Sequence, residues 1–103
     1  VRFKVSIQLL ARQSAILGSL ESAKVSAANA VLDYFETIPI GGELIINRLR
    51  SSVIQSVSSG IKDIKILELC LNERPHLIRN VRLRRDQLFT PDTLRTEGAV
   101  TII

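Results

Sequence analysis

The 103-residue chain contains no methionine or tryptophan, and it has few aromatic residues: one tyrosine and three phenylalanines. Its apolar residues are mainly Ile, Leu and Val, so the sequence predicts an aliphatic core. Such a composition gives little support to base stacking or to sugar binding, which both rely on exposed aromatic rings. At this length the chain is expected to form one domain, residues 1–103.

Cysteine and histidine occur once each, as Cys70 and His76. A single cysteine excludes an intrachain disulfide and a cysteine-based zinc site. Its neighbours Leu69 and Leu71 are apolar, which predicts a buried and inert thiol. His76 follows Pro75, a turn residue, and is predicted to be an exposed loop histidine.

The sequence also lacks long apolar runs. No stretch of about 18 apolar residues is present, so no membrane-spanning helix is predicted, and no secretory leader pattern is visible. Because translation begins with methionine, Val1 is not expected to be the native first residue. The chain opens inside a predicted strand, so we expect a fragment of a longer protein rather than a processed end.

No arrangement of residues predicts catalysis. The serines have no surrounding nucleophile-elbow glycines, and the acidic residues are scattered rather than paired in an apolar setting. The Gly41-Gly42-Glu43 segment lacks the Lys-Ser/Thr of a phosphate-binding loop and is predicted to be a plain turn. We therefore expect no catalytic residue, no metal ligand, no cofactor and no enzymatic activity.

The hydrophobic periodicity predicts an α+β fold with two helices packed on one face of a small, mostly antiparallel sheet. The first helix is predicted over residues 15–37, capped by Ser14 or Ser19 and stopped by Pro39. Asn47 is the predicted N-cap of the second helix, and Gly60 its stop. The remaining predicted elements are strands at 1–9, 61–71, 78–83 and 100–103, a short extended piece at 44–46, and turns at 41–42, 72–77 and 90–92.

Within the strand at 61–71, the apolar residues change phase. Ile64 and Ile66 are predicted to face one side of the sheet, and Leu67, Leu69 and Leu71 the other. A change of phase within one strand indicates either a β-bulge or a strand that is covered on both faces.

Positive charge is concentrated near the C-terminus, where Arg79, Arg82, Arg84 and Arg85 lie within seven residues. Guanidinium groups can bind both carboxylates and phosphates. Three interpretations remain open: a contact with acidic residues of a neighbouring subunit, a phosphate contact with nucleic acid, and a solvated strand face. No aromatic residue is interleaved in the run, and Phe89 follows it, which disfavours nucleic acid.

The segment from Val31 to Leu71 resembles the C-terminal region of the baseplate J-like family of contractile-tail phages. The resemblance lies in four features of this segment: Val31-Leu32-Asp33-Tyr34-Phe35 at a helix end, the Ile40-Gly41-Gly42-Glu43 turn, Leu49 in a following helix, and the strand entry Gly60-Ile61-Lys62-Asp63-Ile64. The opening strand from Val1 to Ile7, just before the first helix, also fits the family. The family usually carries valine where Ile61 stands. The run Arg79–Arg85 matches no family motif.

The resemblance implies a structural component of a phage tail or tail-like baseplate, encoded by a phage or a prophage. It implies wedge assembly through protein–protein contacts, with several copies in a ring beside other baseplate or tail proteins. Localisation in the virion tail baseplate, after assembly in the host bacterial cytoplasm, follows from the same resemblance. The alternative is a small basic nucleic-acid-binding domain that uses the Arg79–Arg85 strand; neither a nucleic acid nor a membrane is an expected partner of the baseplate protein.

Overall fold

The structure is a computed structural model, and it describes residues 1–11, 17–57, 61–91 and 98–103. Within these ranges the chain forms two helices and seven strands, in agreement with the predicted α+β class. The elements in chain order are β1 (Arg2–Ala11), α1 (Leu17–Thr37), β2 (Glu43–Leu44), α2 (Ile46–Ser56), β3 (Ile61–Leu71), β4 (Arg74–His76), β5 (Val81–Arg82), β6 (Thr90–Pro91) and β7 (Val100–Ile102).

Strand β1 is central in the main sheet. One edge pairs antiparallel with β3, and the other pairs in parallel with β6 near its start and with β7 further along. The alternation predicted for the first residues is confirmed, because Phe3, Val5 and Ile7 are buried between less buried neighbours. Strand β4 continues the sheet beyond β3, while β2 and β5 form a separate two-stranded ribbon.

Of the two alternatives predicted for the change of phase in β3, the structure shows a bulge. Ser6 pairs with Glu68 and Ile7 pairs with Ile66, so Leu67 is the extra residue between them. After the bulge the alternation resumes one residue out of phase, and Ile66 and Leu69 therefore lie in the same core. The assignment of Leu67 and Leu69 to one shared face is wrong, since Leu67 is 39% exposed and Leu69 only 1%.

Helix α1 covers the main sheet through a face of small and aliphatic side chains, together with one ring. Ala23, Ala27 and Val31 are buried along this face, and the ring of Phe35 stacks on that of Phe3 with centroids 3.7 Å apart. The helix ends two residues before Pro39, as predicted. Ser19 lies inside the helix and is not its cap, whereas Ser14 lies outside the described residues.

Helix α2 begins two residues earlier than predicted and without the predicted cap. Asn47 lies within the helix, and the residue at the N-cap position, Ile45, provides no side-chain hydrogen bond. The Oδ1 atom of Asn80 instead accepts a hydrogen bond from the backbone N–H of Ile46, at 2.9 Å. Leu49 and Val53 form the buried face of the helix. Gly60, the predicted end of the helix, lies outside the described residues.

The C-terminal third departs most from the predicted elements. The turn predicted over 72–77 is limited to residues 72–73, and β4 follows it at once. The predicted strand at 78–83 is wrong beyond Val81–Arg82, because residues 77–80 bend and only β2 is available as a partner. Thr90 and Pro91, predicted in a turn, pair with Arg2 and Phe3 instead, while the strand at 100–102 is confirmed.

Candidate contact surface

The arginine run lies in a mostly irregular segment between β4 and β6, residues 77–88, which we call the arginine segment. Its four arginines and one aspartate give it a net charge of +3, out of +4 for the whole chain. All four guanidinium-bearing residues predicted as contact residues are exposed. The structure thus leaves Arg79, Arg82, Arg84 and Arg85 exposed on a mostly irregular segment rather than on one regular strand face.

The middle of the segment is fixed against the turn that precedes β2. The N–H of Leu83 donates to the carbonyl of Gly42, and the N–H of Gly41 donates to the carbonyl of Gln87, both at 2.9 Å. The predicted turn at Gly41-Gly42 is confirmed. The place where this turn and the arginine segment are hydrogen-bonded to each other is called the junction below. Leu83 itself is buried and anchors the segment in the core.

Gly41 is required at this junction for two reasons. Its φ of 74° lies in the left-handed region, which side chains with a Cβ adopt at a cost. A Cβ at this position would also meet the backbone of Arg85, with the carbonyl oxygen at 3.3 Å and the Cα at 3.4 Å. The close approach of the two chains therefore depends on the missing side chain.

A tight turn orders the residues that carry the last two arginines. The side-chain oxygen Oε1 of Gln87 accepts a hydrogen bond from the N–H of Arg84 at 2.9 Å, and the N–H of Gln87 donates to the carbonyl of Arg84 at 3.0 Å. Closer to β4, the N–H of Arg79 donates to the carbonyl of Leu77, and Asn80 bonds to α2. The backbone of the segment is therefore held at several points along its length.

The guanidinium groups of this segment have no acidic partner inside the described chain. Ion pairs elsewhere join Arg2 to Glu73, Lys24 to Glu21 and Arg50 to Asp63. Across the described ranges, no carboxylate lies within 4.0 Å of the side chains of the four arginines. Glu43 is opposite Arg82 in the β2–β5 pairing, but the two charged groups form no ion pair.

Exposed aliphatic side chains accompany the arginines, and the sequence patterns did not single them out. Leu77 is 68% exposed, Ile78 is 43% exposed and Leu88 is 42% exposed. Ile40, which precedes Gly41 at the junction, is 64% exposed. The strand predicted over 78–83 gave no reason to expect an exposed Ile78, which in the structure lies in a bend before β5.

The aromatic rings are occupied elsewhere. Phe89 is buried at the end of the arginine segment, in edge contact with both Phe3 and Phe35. The hydroxyl of Tyr34 bonds to both backbone groups of Ile45, accepting from its N–H and donating to its carbonyl. The aromatic side chains of this chain are therefore part of its packing rather than a stacking platform.

The two other titratable or nucleophilic residues that the sequence singled out, Cys70 and His76, lie in β3 and β4, outside the arginine segment. Cys70 is buried as predicted, and its Sγ donates to Oε1 of Glu68 at 3.0 Å. His76, predicted in an exposed loop, is half-buried in β4, which corrects that prediction. Its Nδ1 lies 2.7 Å from the carbonyl oxygen of Leu77, so that nitrogen carries the proton.

Two depressions occur elsewhere in the described ranges. A cavity of about 180 Å³ lies between α1 and β6, lined by Phe3, Leu32, Phe35, Glu36, Phe89 and Pro91. A wider groove of about 370 Å³ lies between the helices, lined by Ala30, Asp33, Tyr34, Thr37, Ser52 and Gln55. Among the described residues, no group of three or more His, Cys, Asp or Glu side chains is placed to hold a metal ion.

Neither α1 nor α2 is long and apolar enough to cross a membrane, and no other helix occurs in the described ranges. Compared with known proteins, the chain matches no family model and no curated protein sequence.

Proposed function

We propose that this chain is a structural domain of a phage tail or tail-like baseplate, which contributes to wedge assembly through subunit contacts. The resemblance of residues 31–71 to the baseplate J-like family suggests this role. The single structural observation that supports it is the joint exposure of arginines and aliphatic side chains along residues 77–88.

Such a mixture is typical of protein–protein interfaces, where arginine and apolar side chains are enriched. When a partner covers an exposed aliphatic side chain, the free energy of the system falls by about 25 cal/mol for each Å² removed from water. Leu77 and Ile40 are each more than 60% exposed, so covering them favours association with another protein surface.

The proposal places the chain in the virion tail baseplate, assembled in the bacterial cytoplasm and repeated in a ring with neighbouring tail proteins. Its role is mechanical, because a wedge domain holds the shape of the baseplate through the fit of its surfaces. No catalytic residue, metal ligand or cofactor enters this proposal.

The test is the composition of purified tail particles. Particles from a producing strain would be isolated, and peptides of this chain would be quantified by mass spectrometry against the tube and sheath proteins. We expect a fixed ratio to those proteins in independent preparations, with the chain retained after a wash at high salt. A chain that is abundant in the cell but missing from the particles contradicts the proposal.

A further inference from the structure

We infer that the arginine segment binds a carboxylate-bearing, aliphatic surface of a neighbouring protein subunit. This inference rests on the proposed function, and it specifies the chemistry of the partner at the same site.

The charge of the arginine segment favours an acidic partner. The segment carries a net charge of +3, and no described carboxylate within 4.0 Å neutralises its guanidinium groups. A guanidinium presents a planar fork of N–H donors that matches the two oxygens of a carboxylate. Four such groups on one short segment therefore fit a partner that supplies several Asp or Glu side chains.

The exposed aliphatic side chains favour a protein partner over a nucleic acid, which would also neutralise the charge. Leu77, Ile78 and Leu88 are exposed within the segment, and a phosphate backbone offers nothing to cover them. Phe89, the ring nearest to the arginines, is 5% exposed and packs against Phe3 and Phe35. Base stacking, which gives single-stranded nucleic acids much of their affinity, has no ring to use here.

The backbone of the arginine segment is preorganised for binding. The hydrogen bonds from Gly41 to Gln87, from Leu83 to Gly42 and within the 84–87 turn hold the backbone of the segment before any partner arrives. A loop that is already ordered loses less conformational entropy on binding than a flexible one. The arginines are therefore presented from a fixed frame, as a specific contact requires.

The experiment uses assembled particles and a charge reversal. In the double variant R84E/R85E, two cations of the segment become anions, while the backbone hydrogen bonds of the turn remain possible. The matched control is K62E/K65E, which makes the same change of charge at two exposed lysines of β3. Thermal unfolding tests whether each variant is folded. If R84E/R85E does not fold, the charge-neutral variant R84Q/R85Q is used in its place.

We expect incorporation of R84E/R85E into particles to fall by about tenfold or more, since each reversed arginine opposes a carboxylate of the partner. K62E/K65E should incorporate within about twofold of the original chain, as expected for exposed charges outside a contact. Normal incorporation of folded R84E/R85E or R84Q/R85Q overturns the inference and leaves the proposed function intact. Absence of the original chain from particles overturns the proposed function itself.

A photo-crosslinking residue identifies the partner. Placed at Leu88, it should link to a peptide of a neighbouring subunit that contains Asp or Glu beside aliphatic residues. Val25, an aliphatic residue of α1 that is 63% exposed, is the matched control position and should not yield that product. A product with nucleic acid, or with a protein segment that lacks carboxylates, overturns the inference.

Discussion

Asn80 and Ile46 are 34 residues apart in the chain, yet the side chain of the first caps the helix that begins at the second. The first N–H groups of a helix have no partner within the helix, and a side-chain oxygen that accepts from one of them stabilises the helix. Here the cap comes from the arginine segment, so the same hydrogen bond holds α2 and the segment together.

The substitution N80A removes this cap. We expect it to lower the free energy of unfolding by about 1 kcal/mol, the usual cost of losing an N-cap side chain. N47A is the matched control: Asn47 is exposed inside the helix, so its replacement should cost less than about 0.5 kcal/mol. Urea unfolding of both variants measures the difference. Equal stability of N80A and the original chain contradicts the assignment of the cap.

The Tyr34 hydroxyl predicts a second loss of stability. The substitution Y34F leaves the partly buried N–H and carbonyl of Ile45 without the hydroxyl that bonds to both. We expect a cost of about 1–2 kcal/mol. The control is T37A, which removes an exposed hydroxyl that donates to the Tyr34 carbonyl and should cost about 0.5 kcal/mol or less. If thermal unfolding ranks the two variants in the opposite order, the bridge does not contribute as described.

Gly41 and Gly98 provide a pair of positions with the same backbone angle and different surroundings. Both have a φ of 74°, but a Cβ would meet the backbone of Arg85 at Gly41 and no described atom within 4 Å at Gly98. G98A should therefore show only the cost of left-handed backbone, about 1–2 kcal/mol. G41A should show that cost plus the displacement of the junction. Denaturant unfolding measures the free energy of unfolding of both variants. If G41A is no less stable than G98A, the backbone of Arg85 does not lie as close to Gly41 as described.

The bulge in β3 predicts opposite behaviour for two adjacent residues. I66A removes a side chain that is 7% exposed in the core, and it should cost about 2–4 kcal/mol. L67A removes a side chain of the bulged residue that is 39% exposed, and it should cost less than about 1 kcal/mol. A larger loss of stability in L67A than in I66A would mean that the register shift lies elsewhere.

The turn between β3 and β4 predicts a stabilising substitution. Asn72 and Glu73 both have positive φ, 51° and 67°, the combination of a tight hairpin turn that favours glycine at its second position. We expect E73G to raise the free energy of unfolding by about 0.5–1 kcal/mol, even though it removes the exposed ion pair with Arg2. E73A loses the ion pair and keeps the strain, so it should be no more stable than the original chain. A destabilised E73G would contradict this account of the turn.

The elements that could be predicted from the sequence are those whose signal is local. Alternation defines β1, Pro39 ends α1, and the phase change at Leu67 reveals the bulge, because each depends on neighbouring residues alone. The cap of α2 could not be predicted in this way. Asn47 has the right chemistry but lies two residues after the N-cap position, Ile45. The hydrogen bond is made by Asn80, which reaches Ile46 only in the folded chain.

Only part of the candidate site could be predicted, because only its arginines give a local signal in the sequence. The four arginines are visible in the sequence as a cluster of charge, and the structure leaves all of them exposed. The aliphatic half of the surface was not visible, because Ile78 has the spacing of a strand residue. A strand forms only where a partner strand supplies hydrogen bonds. Strand β2 pairs only with Val81 and Arg82, so Ile78 is not part of a strand.

The central position of β1 has a consequence for how the domain forms. The strand that opens the chain receives its neighbours from residues 61–71 on one edge and from residues 90–91 and 100–102 on the other. Contacts between segments so far apart in sequence slow folding, since a long loop must close before any of them is made. During synthesis the edges of β1 therefore stay unpaired until β3 on one side, and β6 and β7 on the other, have left the ribosome. A chaperone that shields these edges should raise the yield of folded protein.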